Sequence, residues 1–168
     1  MRFSNRDQIF GSFLNPVAEH GAHVERLGDH RGHYRINKTV TCLAKYAKPE
    51  SSSSRARGSK WKFRFRPNEM NILFGDLGRA SLFGRAFVGL ICVPDSVCLL
   101  KSDEWQTLLR PLLRPMKKSA AVDVRVTRPR DCQMTVGVPG GPELDGKVPQ
   151  SRFPELLFER ELPAYRHQ

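Results

Sequence analysis

GSKWKFRFRP, residues 58–67, places aromatic side chains at 61, 63 and 65 and cations at 60, 62, 64 and 66. Alternation of this kind has the period of a strand, whose successive side chains point to opposite faces of a sheet. Trp61, Phe63 and Phe65 therefore belong against a core, and Lys60, Lys62, Arg64 and Arg66 belong on an open face. A chain with such a segment needs a sheet covered on one side, and the flanking sequence shows what covers it.

Upstream, Tyr34, Ile36, Val40, Cys42, Ala44 and Tyr46 fall on even positions, while the odd positions are mostly polar. This pattern predicts one long strand over 34–46 with a single buried face. KPESSSSRARGS, residues 48–59, is rich in serine and carries Arg55 and Arg57. It reads as a mobile basic loop that joins 34–46 to 60–66 as an antiparallel hairpin. Further upstream, Asn15-Pro16 has the form of an N-cap followed by a first-turn proline, predicting a helix that ends at Gly28.

Downstream, Met70, Leu73, Phe74 and Leu77 have helical spacing over 68–83, with Gly75, Gly78 and Gly84 as points where the helix breaks. Residues 86–93 and 97–100 read as a second hairpin around Pro94-Asp95-Ser96, and Val122, Val124 and Val126 with Met134, Val136 and Val138 read as a third. Between them Ser102 caps a helix carrying Trp105, Leu108, Leu109 and Leu112, stopped by Pro115. FPELLFER closes the pattern with a short helix. The fold class expected is α+β: a mostly antiparallel sheet of about six strands in three hairpins, with about four helices packed around it, as a single domain over 1–168.

The bulk properties agree with that reading. A chain of 168 residues is long enough to bury about 70% of its unfolded surface in one domain. Hydrophobic content of 39%, charged content of 27% and a mean hydropathy of -0.46 suit a water-soluble globule. The longest apolar stretch, AFVGLICVP at 86–94, is about half of the roughly 20 residues a bilayer helix needs. The segment MRFSNRDQIFGSFLNP has no continuous apolar region of the secretory kind, so no membrane association and a cytoplasmic location are expected. Cys42, Cys92, Cys98 and Cys132 show no paired spacing and read as small buried hydrophobes.

The charge is unevenly distributed. Residues 31–66 hold eleven Lys or Arg against one acid, Glu50, and account for nearly all of the +11 net charge. Clustered cations release condensed counterions together when they meet a phosphate backbone, so the cluster points to a polyanionic partner. The expected contact residues are Lys60, Lys62, Arg64 and Arg66, joined by Arg35 and Lys45 from the adjoining strand and by Arg55 and Arg57 from the loop. Lysines that merely guard a strand edge would explain one or two cations better than a row of four.

Other chemistry is weaker. His20, His23, His30 and His33 lie close together with Glu19, Glu25 and Asp29 nearby. Three-residue spacing puts a pair on one helix face, but Gly28 and Gly32 run a loop through the second pair, no cysteine joins them, and they read as a surface cluster that gains charge below about pH 6.5 rather than as a metal site. Pro94-Asp95 with Asp145-Gly146-Lys147 resembles the PD-(D/E)XK signature of restriction-type nucleases. The resemblance implies two acids holding magnesium and a lysine activating water. Both acids here stand in turn sequences, where turn chemistry alone accounts for them. No serine or cysteine sits in a nucleophile elbow, and GVPGGP lacks the context of a phosphate loop.

The function expected is therefore a nucleic-acid-binding accessory or regulatory module. It would grip a DNA or RNA backbone with little sequence preference, within a larger protein assembly, using no catalytic residue, metal or cofactor. The alternatives are a metal-dependent nuclease and a protein-interaction or inhibitor module that docks an acidic surface, of the kind found in mobile elements and defence systems.

Overall fold

Trp61, Phe63 and Phe65 are each about 1% exposed and anchor a strand, β4 (Ser59–Phe65), that turns at Pro67 into a helix. A computed structural model of the chain describes residues 5–50, 59–83, 85–94, 96–113, 121–128 and 133–159. Among them run α1 (Asn5–Glu19), β1 (Val24–Arg26), β2 (His33–Ile36), β3 (Val40–Ala47), β4, α2 (Pro67–Ile72), α3 (Gly78–Phe83), β5 (Arg85–Cys92), β6 (Ser96–Leu100), α4 (Ser102–Leu109), β7 (Val122–Arg128), β8 (Gln133–Gly137) and β9 (Val148–Pro149). The fold is α+β and mostly antiparallel. Among the described residues nine strands form two sheets, where the sequence predicts about six in one.

The first sheet has the order β1-β2-β3-β5-β6 and the second the order β4-β7-β8-β9. β3 and β5 run parallel, from Val40 opposite Arg85 to Ala47 opposite Cys92, and every other named pairing is antiparallel. Between β3 and β5 the chain leaves the first sheet, adds β4 to the second, and returns through α2, a π-helical turn (Leu73–Leu77) and α3. The π turn contains Gly75 and ends at Gly78, two of the three positions where the sequence marks a break.

Three expectations are corrected. The long strand over 34–46 is two strands: Asn37 and Lys38 take φ of 50° and 64° and make the tight turn between β2 and β3. β3 and β4 are not a hairpin, because β4 pairs with β7 from Ser59 opposite Arg128 to Phe65 opposite Val122. Among the described residues the backbones of the two segments meet at a bridge between Pro49 and Trp61, with the Glu50 amide donating to the Lys60 carbonyl at 2.8 Å. The loop expected between them lies mainly in 51–58, outside the described residues. The first helix runs over Asn5–Glu19 with Pro16 inside it, so the segment expected to be helical is helical only as far as Glu19, and β1 follows in place of its remainder. Phe13 and Val17, both fully buried, set the helix face.

The first sheet is covered on both faces. Phe13, Val17, Ile36, Cys42, Ala44, Phe87 and Leu99 form the core on the α1 side. A Cβ at Gly89 would stand 2.7 Å from the Phe13 ring, so α1 packs directly on the β5 backbone there. On the other face Leu43, Leu90 and Leu100 meet Trp61, Phe63, Phe65, Trp105, Val124 and Val126 in the core between the sheets. The Trp61 indole N–H donates to the Val93 carbonyl at 2.9 Å and needs no water. No helix among the described residues is long and apolar enough to cross a membrane.

Candidate nucleic-acid interface

β2 stops pairing with β3 at His33 opposite Leu43. One further bond, from the Ala44 amide to the Gly32 carbonyl at 2.7 Å, ends the contact. A Cβ at Gly32 would fall 1.9 Å from the Ala44 carbonyl oxygen, so only glycine lets the chain approach β3 there and then leave. Beyond this point a groove of about 690 Å³ opens beside β3, lined on one side by His30 and Arg31 and on the other by Lys62, Arg64, Arg66 and Glu69. Lys45, Tyr46 and Lys48 come from β3 and its end, and Phe10 comes from α1.

The floor of the groove is Glu69, whose side chain is 4% exposed. Its Oε2 accepts hydrogen bonds from Lys45 Nζ and from His30 Nε2, the latter at 3.1 Å, and its Oε1 accepts the Arg66 amide at 3.1 Å. The Gly32 amide donates to His30 Nδ1 at 3.2 Å, which leaves the ring hydrogen on Nε2, facing the carboxylate. Burial raises the pKa of Glu69, but the hydrogen bonds from His30, Lys45 and Arg66, with the Lys45 charge, outweigh burial and lower it to about 2. Glu69 is thus ionised, and Lys45 is its counter-ion.

That arrangement corrects the expected role of Lys45. Its side chain is 16% exposed, tied to Glu69, and stands 5.3 Å from the centre of the Phe65 ring, between the sheets and not on an open face. Arg35 is half-buried on β2 opposite Thr41 and Glu25, and does not line the groove. Arg55 and Arg57 lie outside the described residues.

The β4 cations stand where alternation puts them. Lys62, Arg64 and Arg66 are exposed and Lys60 is partly so. Acids from elsewhere in the chain interrupt the row. Arg64 donates to Asp123 from Nε at 3.0 Å and from Nη2 at 3.4 Å across the β4–β7 pair, and these bonds lower the pKa of Asp123. Arg125, opposite Lys62, reaches Glu50 at 3.5 Å. Lys48, Lys62 and Arg66 have no ion-pair partner among the described residues, and Arg31 touches Asp7 only at 4.0 Å. Arg31 and Lys48 were not among the expected contact residues. Both fall inside the basic segment, but neither stands in an alternating pattern that would single it out.

The histidines do not gather. His20 bonds the Pro16 carbonyl at 3.0 Å and stacks on Phe158, while His33 Nε2 meets Asp76 at 2.7 Å. α1 ends at Glu19, so His20 and His23 do not share a helix face. His30 and His33 instead clip the loop before β2 to α2 and the π turn. Among the described residues no three His, Cys, Asp or Glu side chains come together as a metal site would require. Of the nuclease-like residues, Asp145 and Lys147 are exposed ahead of β9, and Asp95 lies outside the described residues. Cys42, Cys92 and Cys98 are buried, and burial raises the pKa of Cys42 and Cys98. Comparison with protein-family models, with curated proteins and with solved structures finds no match for the chain.

Proposed function

We propose that the protein is a nucleic-acid-binding accessory or regulatory module of the cytoplasm that grips a phosphate backbone in the groove beside β4, without catalysis and with little sequence preference. The observation that carries this reading is the charge of the groove. Arg31, Lys48, Lys62, Arg64 and Arg66 line it, against the acids Asp29 and Glu69, and Glu69 is already compensated by Lys45. Cations that close repel one another in the free protein, and a polyanion relieves that repulsion while releasing its own counterions. Phosphate contacts fix position and orientation but carry no base information, so discrimination between sequences falls to a partner in a larger assembly.

The reading is tested by fluorescence anisotropy of labelled single-stranded and duplex DNA and RNA at low salt. Binding of at least one form, weakened uniformly across sequences by Lys62→Ser with Arg66→Ser, is the expected result. Failure to bind any form would remove it.

A further inference from the structure

Resting on that reading, the geometry points to single-stranded nucleic acid as the ligand. We infer that an unstacked base lies against Tyr46 in the groove while the neighbouring phosphates meet Lys48, Lys62 and Arg66. The groove is not lined by cations alone. Tyr46 and Phe10 form an aromatic wall, with ring centres 5.7 Å apart and planes at 89°. Both residues are half-buried, so the rings are held in place yet reachable. The Tyr46 hydroxyl has no hydrogen-bond partner among the described residues.

Position explains why an aromatic stands here. Along β3, Leu43, Lys45 and Ala47 point between the sheets, and Cys42, Ala44 and Tyr46 point toward α1. β2 has already left, so the edge of β3 at Tyr46 is open on that side and its ring borders the groove. The cations of β4 and the aromatics of β3 and α1 thus border one space. Proteins that hold single strands combine a basic channel for the backbone with aromatic faces for the bases, because every base has a π face and stacking tolerates any sequence. A duplex keeps its bases stacked on one another and offers this wall nothing but backbone. The size agrees: about 690 Å³ falls within the roughly 300–1,000 Å³ of sites that enclose small ligands, the scale of a nucleotide and not of a duplex.

Three probes with the same number of phosphates decide the matter by anisotropy on the full chain: single-stranded oligothymidine, the same backbone without bases, and a duplex of half that length. The abasic strand is expected to bind about 5- to 150-fold more weakly than oligothymidine, the range for one stacked base. Tyr46→Leu, which keeps an apolar side chain without a ring, should bring the two strands to the same affinity while leaving the salt dependence unchanged. Equal affinities for thymidine and abasic strands in the native protein would overturn the stacking inference and leave backbone binding intact. Tighter binding to duplex would do the same. Binding of none of the three at low salt would overturn both. Polyglutamate that binds as tightly as oligothymidine would overturn both as well, making the open edge of β3 a dock for an acidic chain. The probes act on the native protein, so the result stands even if Tyr46→Leu proves unstable.

Discussion

Replacing Glu69 by Gln removes the one charge that compensates Lys45 between the sheets. A carboxyl whose pKa moves from 4.5 to about 2 contributes, at about 1.4 kcal/mol per unit, about 3 kcal/mol of folding stability. Breaking a buried ion pair by deleting one partner costs about 3–5 kcal/mol, so the two routes agree. The folded-state pKa is the lower one, which sets the sign. The contribution is complete above about pH 4.5 and lost as pH falls through about 2. Urea unfolding of native protein and Glu69→Gln across that range isolates it, since other carboxylates titrate alike in both and cancel in the difference. The native protein should lead by about 3 kcal/mol near neutrality, and the lead should shrink steadily toward about pH 2. A lead below about 1 kcal/mol near neutrality, or one that does not change with pH, would refute the assignment of Lys45 as counter-ion. The same substitution removes a negative charge from the groove and should tighten polyanion binding.

Other outcomes follow from the packing. Val124→Asp places an unpaired charge in the core between the sheets and should cost several kcal/mol in a urea melt, whereas Arg125→Ser, on the opposite face, should change stability by less than about 1 kcal/mol. Phe63→Ala, at 1% exposure, should cost about 3–5 kcal/mol. Gly32→Ala drives a Cβ into the Ala44 carbonyl and should cost about 1–3 kcal/mol, with faster hydrogen exchange confined to the loop before β2.

What could be read from the sequence was local. The alternation at 61, 63 and 65 assigns the faces of β4 correctly, and the β5–β6 and β7–β8 pairs are legible because few residues of sequence separate the two strands of each. Alternation says which side of a strand is buried but not which strand lies beside it, so the assignment of β3 to β4 failed. β3 takes β5 in parallel instead, and parallel neighbours must be joined by a long crossover that leaves no short-range signal. Lys38 at positive φ is no conventional turn residue, which hid the break between β2 and β3. Pro16 misled because a proline near the end of a helix looks like one at its start.

The candidate site divides the same way. Lys62, Arg64 and Arg66 follow from period alone. Their modulation does not: Asp123 comes from β7 and Glu69 from α2, both outside the 31–66 segment, so a local count of charge overstates how bare the cationic row is. In the sequence Tyr46 reads as a core residue of a long strand, and only the early departure of β2 opens an edge beside it.

Salt dependence of binding tests the central claim most directly. If Lys48, Lys62 and Arg66 contact phosphates, log K should fall with log salt concentration with a slope of about 2–3, at about 0.7–0.9 per contact. Lys62→Ser with Arg66→Ser should lower that slope by about 1.5 and leave the melting transition in place, since both side chains are exposed. A native protein whose binding is insensitive to salt, or a double variant whose slope equals that of the native protein, would contradict the phosphate grip.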